Sequence, residues 1–502
     1  MKYIRNILLV CVLYLSLTSC EHLLEIDPVN SMVPTTVSDF EQVLLSGYPD
    51  REFFMTTELS TDNVELNFAS TLELSDVNSL WFTWAESHQA EGVIQDPIWG
   101  ELYRSIYNAN SVIDELDLLE ILPEEKELFD IVKGEAHAVR ALAYFYLANF
   151  YAEPYSKEKE NMVCVPLITT ANGLTDRIQN NTRESIGVIW KLIVSDLELA
   201  SKLLKGKSFD SKFRFNYYSV EALKSRVHLF MGDYDKAISS ADVVINKYKL
   251  WDMNEMPELA QQQEESIESM INYEYGFINT DYNKEILFYW CSNGGATGAR
   301  RNIFYYSQGI EKPSDELIDS YYMLKDVSNP VSDTILDYRK YIFLRNVDKS
   351  DPKWKEYGTK SYKMYPSQGD NVTAYIGLKL GEVILNRAEA YARKNLNTEA
   401  LDDVKLLMKK RILSADYPIY EAFIDAEEDV LGRVLLERRK ETAFDGGLRW
   451  MDIRRLVDRR TEIIHTDKEQ NEYILKVDDP RYVLQIPRSE QKFSPNMELN
   501  PR

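Results

Sequence analysis

The sequence is poor in cysteine, histidine and basic charge, and each shortage removes a class of function. Four cysteines occur in 502 residues, at Cys11, Cys20, Cys164 and Cys291. They form no Cys-x-x-Cys and no Cys/His pair at ligand spacing, so no structural zinc site is expected. The five histidines, His22, His88, His137, His228 and His465, are scattered, and none stands at a metal-ligand spacing from another. His137 and His228 fall within helical patterns and read as packed or surface residues. There is no Gly-x-Ser-x-Gly, no P-loop and no dinucleotide fingerprint. Asn293-Gly294-Gly295-Ala296-Thr297-Gly298 lacks the lysine and following helix that phosphate binding needs. Lys and Arg total 58 against 81 Asp and Glu, a net charge of −23. That excludes nucleic acid and charge-driven adhesion to anionic lipid, because both need clustered cations. No metal and no cofactor are expected.

Long apolar runs are equally scarce. Lys2 and Arg5 precede Ile7-Leu8-Leu9-Val10-Cys11-Val12-Leu13-Tyr14-Leu15. This stretch is too short to span a bilayer, which takes about 20 apolar residues, but fits the apolar region of a secretory signal. It closes on Leu17-Thr18-Ser19-Cys20, which resembles a lipobox, where small residues precede a cysteine that is acylated and becomes the N-terminus. Residues 1–19 therefore read as a signal peptide and Cys20 as the lipidation site. Residues 20–40, with Asp27-Pro28-Val29-Asn30-Ser31 and Pro34-Thr35-Thr36, read as a tether of extended and turn backbone. Removing the signal takes away two cations and no acid, making the mature chain still more acidic. Cys164 and Cys291 would remain, either as a disulfide or as free thiols.

What is abundant is helical periodicity. Leu102, Ile106, Ala109, Ile113 and Leu116 lie on one helix face. A second helix, from about Ile131 to Tyr151, is apolar nearly all round and should be central. A third runs from about Glu184 to Leu204. Two helix hairpins follow, Ser219 to Ile245 broken at Gly232-Asp233, and Ile376 to Lys410 broken around Asn395-Leu396-Asn397. Ser225 precedes Ala237 by 12 residues, as Ala388 precedes Ala400 by 12, with His228 and Tyr391 three residues after the first small residue of each. This resembles the tetratricopeptide pattern, whose units must stack on neighbours to bury a core. Between the hairpins, Glu285-Ile286-Leu287-Phe288-Tyr289-Trp290 reads as a strand, followed by the Gly-rich loop, Ile303-Phe304-Tyr305-Tyr306 and a tyrosine-dense stretch.

Several pieces now stand in order. After the lipobox and Asp27-Pro28 come Trp99-Gly100-Glu101-Leu102-Tyr103 through Ala109-Asn110, Gly134-Glu135-Ala136, Arg140-Ala141-Leu142-Ala143-Tyr144-Phe145 and Val165-Pro166-Leu167. Near the end stand Glu382 to Tyr391 (Glu-Val-Ile-Leu-Asn-Arg-Ala-Glu-Ala-Tyr), Glu437-Arg438-Arg439-Lys440-Glu441 and Arg449-Trp450-Met451-Asp452-Ile453-Arg454-Arg455. Together they resemble the SusD/RagB family of outer-membrane nutrient-binding lipoproteins along nearly the whole chain. The resemblance implies a mainly α fold: a tetratricopeptide-like helix-hairpin scaffold, with irregular loops and a few short strands carrying the ligand site. Residues 41–250 and 251–502 would be the two parts of one intertwined body. It also implies a non-catalytic role, a glycan or oligosaccharide as cargo (peptide or another nutrient as the alternative), a SusC-like TonB-dependent transporter as partner, and a lipid-anchored place at the outer membrane, facing the exterior.

Two sets of residues invite a chemical reading. Glu437 and Glu441 share a helix face, as paired carboxylates in glycoside hydrolysis would, but interleaved and following arginines favour a structural ion-pair network. The ligand candidates are aromatic, since an indole or phenol can stack on the apolar face of a sugar. They fall in two zones from which the family resemblance draws ligand contacts: Trp81 and Trp84 with Asp62 and Asn63, and Trp290 and Tyr305 with Asn293 and Arg300. Core packing is the alternative for each. The Trp81-Phe82-Thr83-Trp84 alternation reads as a strand with Trp81 and Thr83 on one face.

Overall fold

The computed structural model describes residues 34–49, 54–68, 73–93, 96–171, 182–207, 211–255, 284–292, 310–324, 334–346, 357–359 and 373–502. Among them helix dominates and the strands are short and paired two by two. Cys20, the expected lipidation site, and the expected ligand residues Asn293, Arg300 and Tyr305 lie outside the described residues, as does most of the stretch read as a tether.

The tether ends earlier than expected. Thr36 caps helix α1 (Val37–Gly47), accepting from the Asp39 amide while Asp39 accepts from Thr36, a reciprocal box that fixes a helix start inside the stretch read as extended. Helix α2 (Pro97–Leu116) starts on Asp96, whose carboxylate accepts from the Ile98 and Trp99 amides, with proline at the first turn. Helix α3 (Lys126–Tyr151) is buried on every side from Gly134 to Tyr151, as its all-round apolar character demands. It lies against α2 and against α4 (Ile186–Leu204).

Both hairpins form, the first where its periodicity places it. Helix α5 (Tyr217–Met231) starts on an Asn216–Ser219 capping box and stops at Gly232, which takes the left-handed conformation at φ 73°. Helix α6 (Tyr234–Ile245) completes the first hairpin. Helices α7 (Leu380–Arg393) and α8 (Asn397–Met408) make the second. Ser225, Ala237, Ala388 and Ala400 are all fully buried, and α7 packs on both α5 and α6, so each hairpin supplies the neighbour that the other needs. Charged side chains stitch the seam. Arg226 of α5 donates to Glu382 of α7 at 2.6 Å, and Arg387 of α7 reaches Asp403 of α8 at 2.6 Å and Asp242 of α6 at 2.5 Å.

The second hairpin begins later than its apolar pattern implied. Residues 376–379 are strand, part of β2 (Thr373–Lys379), which pairs antiparallel with β1 (Ile286–Ser292). Apolar runs of this length are shared by strands and buried helices, so the boundary had no local marker. At Gly377 a side chain would run into the Phe288 ring, 2.5 Å from where a Cβ would sit. Helices α9 (Val430–Glu441) and α10 (Leu448–Arg455) close the body. One continuous apolar cluster runs from Val37 to Met497. Cys164 is a free, fully buried thiol, which settles the disulfide question against a bond.

A tetrad read as strand is instead helical. Residues Asp76–Phe82 form a helix capped by Ser75, and Trp84 follows in a turn at φ 50°. Four alternating residues fit a short strand and a helix end alike, and the Ser75-Asp76 start signal decides for the helix.

Candidate functional site

Helix α9 carries Glu437 to Glu441, and all five side chains are buried. Glu437 accepts from Arg339 at 2.6 Å, from Lys440 at 2.8 Å and from the Tyr420 hydroxyl at 3.1 Å. Glu441 meets Arg411 at 2.9 Å, and Arg411 also holds Glu285 at 2.9 Å. Arg438 donates to Asp452 at 2.7 Å and Asn386 at 2.6 Å. Burial alone would raise the Glu437 carboxyl, but Lys440 and Arg339 overcome it and hold it at about 2. Glu441 is likewise held at about 2, burial being outweighed by Arg411 and Lys379. Carboxylates so pinned are not proton donors at neutral pH. The network ties α9 to α7, α10 and the segments around 285, 339 and 411, as a structural role requires.

Asp62 and Asn63 belong to the same web. Arg449 grips Asp62 through two nitrogens, at 2.7 and 2.5 Å, and Arg439 lies 3.3 Å away. Despite burial, the two arginines hold Asp62 well below the usual carboxylate range. The Asn63 carbonyl accepts from Arg439 at 2.8 Å. Trp81 and Trp84 are close by and buried. Trp81 lies against His88 with ring centroids 5.0 Å apart. Trp84 stacks on His465 at 4.3 Å and donates to the Ser60 carbonyl at 3.1 Å. These four residues come together, then, but around arginines and histidines of the chain, and no wet strand face exists at Trp81, which is 5% exposed.

Trp290 stands elsewhere, on the wall of a cavity of about 520 Å³ lined also by Leu45, Ser46, Tyr48, Pro49, Arg104, Ser211, Phe213, Arg214, Phe288 and Tyr289. Four segments build it. The end of α1 turns at Tyr48, and Arg104 of α2 donates to the Ser46 carbonyl and, at 3.1 Å, to that of Tyr48, satisfying carbonyls which the helix end leaves open. The segment 211–214 leads into the Asn216 cap of α5, and its Lys212 carbonyl accepts from the Tyr289 amide at 2.7 Å, fixing it to β1. Strand β1 contributes Phe288, Tyr289 and Trp290, all buried. Phe213, only half-buried, stacks on Tyr289 at 5.3 Å and 24°, and Phe215 stacks on Phe288 at 4.4 Å and 12°.

The cavity's cations are tied down. Arg104 pairs with Glu101 at 2.6 Å. Arg214 meets Glu135 at 2.9 and 2.5 Å and Glu41 at 2.7 Å. The Tyr48 hydroxyl donates to Glu135 at 3.0 Å and accepts from the Phe215 amide at 2.9 Å. Burial opposes the Arg214 charge, yet Glu135 and Glu41 raise its pKa above the ordinary value. Of Phe213, Phe288, Tyr289 and Trp290 only Phe213 keeps accessible area; the other three are each 2% exposed or less and back the cavity as packed core, while the pinned polar groups sit at its edge. Sequence reasoning reached Trp290 and the strand that carries it. It missed Phe213, Tyr48, Arg104 and Arg214, whose one local hint is the Phe213-Arg214-Phe215 alternation just before a helix cap.

Known proteins place the scaffold. A family profile described as "SusD family" matches residues 213–501, and one described as "Starch-binding associating with outer membrane" matches residues 23–229. The chain belongs to the SusD family. Among SusD relatives, SusD-like protein P2 of Formosa agariphila is 24% identical over 480 residues, covering 89% of each chain. SusD-like protein P38 of the same organism is 23% identical over 90% of this chain and 92% of its own. A SusD superfamily protein from Bacteroides thetaiotaomicron superposes with a TM-score of 0.67 at 21% identity, over 93% of this chain and 100% of its own. A SusD-like carbohydrate binding protein from Bacteroides vulgatus gives 0.64 at 18% identity, over 92% and 98%. At such identities the superpositions establish the SusD fold. No helix among the described residues is long and apolar enough to cross a membrane.

Proposed function

We propose that this SusD family member binds a glycan at the outer-membrane surface without cleaving it, is anchored there through Cys20, and passes its cargo to a SusC-like TonB-dependent transporter. The observation that carries the binding half is the cavity beside β1, walled by Phe213, Phe288, Tyr289 and Trp290 and edged by two pinned arginines. The pinned state of Glu437 and Glu441 removes that pair as a hydrolytic dyad, because a retaining or inverting glycosidase needs one carboxyl that can donate a proton. The family description, starch-binding and outer-membrane associated, supports a glycan over a peptide. The lipobox-like Leu17-Thr18-Ser19-Cys20 and the family support the anchor and the handover.

Affinity electrophoresis through gels containing single polysaccharides, run beside a panel of peptides in calorimetry, tests the reading. Retardation by a glycan, reduced by Phe213→Ala and unaccompanied by new reducing ends, is expected. Binding confined to peptides, or release of reducing ends, would refute it. Replacing Cys20 by Ala should move the protein from the membrane to the soluble fraction.

A further inference from the structure

The proposed glycan site carries a specific charge pattern, and we infer from it that the ligand is a neutral saccharide, excluding uronates and sulfated sugars. The inference rests on the cavity reading above and narrows it. The charged residues lining the cavity are Arg104 and Arg214, which by themselves would suggest an anion site. Their partners reverse that suggestion. Arg104 is matched by Glu101 through Nε at 3.3 Å and Nη2 at 2.6 Å. Arg214 is matched by two carboxylates, Glu135 and Glu41. Among the described residues, then, these two guanidiniums are met by three carboxylates, Glu101, Glu135 and Glu41. An anionic sugar would have to displace a bidentate carboxylate from Arg214, leaving Glu135 buried with the Tyr48 hydroxyl as its donor but no counter-charge. Burial raises the Glu135 carboxyl and Arg214 is the cation that offsets it, so taking that arginine away strands a buried carboxylate. The whole chain, at −23, repels anions at longer range as well.

What the cavity offers instead suits an uncharged ring. Phe213 is half-buried: one ring face is held on Tyr289, which fixes the ring and leaves its remaining area to the cavity. Ser46, whose hydroxyl donates to the Val43 carbonyl at 2.8 Å and can still accept, and Ser211, whose hydroxyl accepts from the Phe213 amide at 3.2 Å and can still donate, also line the cavity. A volume of about 520 Å³ lies within the range that small organic ligands occupy, about 300–1,000 Å³.

The test is calorimetric titration of the full chain in detergent with matched oligosaccharide sets. One set is neutral (gluco-, galacto-, manno- and xylo-oligosaccharides). The other is anionic (oligogalacturonate, alginate and sulfated galactan fragments). Each is run at about 50 mM and about 500 mM NaCl, conditions that separate screened from unscreened attraction. The expected result is binding of a neutral oligosaccharide with nearly salt-independent affinity, weakened about tenfold by Phe213→Ala. Phe213→Leu, which keeps the apolar bulk and removes only the ring, guards against a folding artefact and should weaken binding similarly. An anionic oligosaccharide bound as tightly, with affinity falling as salt rises, would overturn the inference while leaving the glycan reading intact. Neutral binding indifferent to both Phe213 variants would overturn the placement. Silence toward every saccharide would overturn the glycan reading itself.

Discussion

Replacing Glu437 by Gln should cost the fold about 3 kcal/mol and cost no activity. Glu437 is fully buried and accepts from Arg339, Lys440 and Tyr420. Its pKa falls from 4.5 to about 2 on folding, a depression worth about 3 kcal/mol at neutral pH. Removing one partner of a buried ion pair typically costs about 3–5 kcal/mol; here Lys440 loses its nearest carboxylate and Arg339 one of the two it donates to, keeping Asp337 at 2.6 Å, which places the cost at the lower end, so the two routes agree. The sign follows from the depressed value. The contribution is complete above the unfolded pKa near 4.5 and is lost as pH falls through about 2. Guanidinium denaturation of wild type and Glu437→Gln at pH 7, repeated at pH 3, measures it. The gap between the two proteins should be largest at pH 7 and shrink at pH 3. A gap under about 1 kcal/mol at pH 7, or a Glu437-dependent release of reducing ends from any glycan, would refute the structural assignment of this carboxylate.

Other consequences are independent of it. Gly134 of α3 lies where α4 crosses, and a Cβ there would sit 2.8 Å from Leu204 Cγ and 3.1 Å from Leu203 Cβ; Gly134→Ala should therefore lower stability by about 1–3 kcal/mol in denaturant titration, although alanine is the better helix former. Glu58 is fully buried and burial pushes its carboxyl up from 4.5 to about 8, so its contribution is present at low pH and lost as pH rises through about 8. Glu58→Gln should accordingly gain roughly 3–5 kcal/mol on wild type at pH 9, and equal stability of the two proteins there would count against the assignment. Cys164, buried and pushed up to about 12, should resist thiol reagents at pH 8 until the chain is unfolded.

The scaffold was readable because its signals are local. Residues 102–116, 131–151 and 184–204, and both hairpins, show the helical period over ten or more residues, and Gly232 marks a break by its backbone alone. The ion-pair role of Glu437 and Glu441 was also readable, since buried acids in so basic a stretch need cations, but the partners were not: only Lys440 comes from the run itself, while Arg339 and Arg411 come from distant segments. The site was not. Its wall is assembled from residues near 45, 104, 211 and 288, and only their meeting in space makes a cavity. Trp290 entered the expectation because its strand is aromatic. Trp81 and Trp84 entered it through a four-residue alternation that turned out to be a helix end, where both indoles are buried against histidines. Arg214 carried no mark distinguishing a cavity arginine from any other, because its partners Glu41 and Glu135 lie on α1 and α3.

The most direct test of the central claim is a crystal structure of the protein with a bound oligosaccharide, chosen from the strongest binder in the gel panel. Sugar density is expected in the cavity beside Phe213, with an intact glycosidic chain and a ring face against Phe213. Saccharide ordered anywhere else on the chain with this cavity unfilled would contradict it.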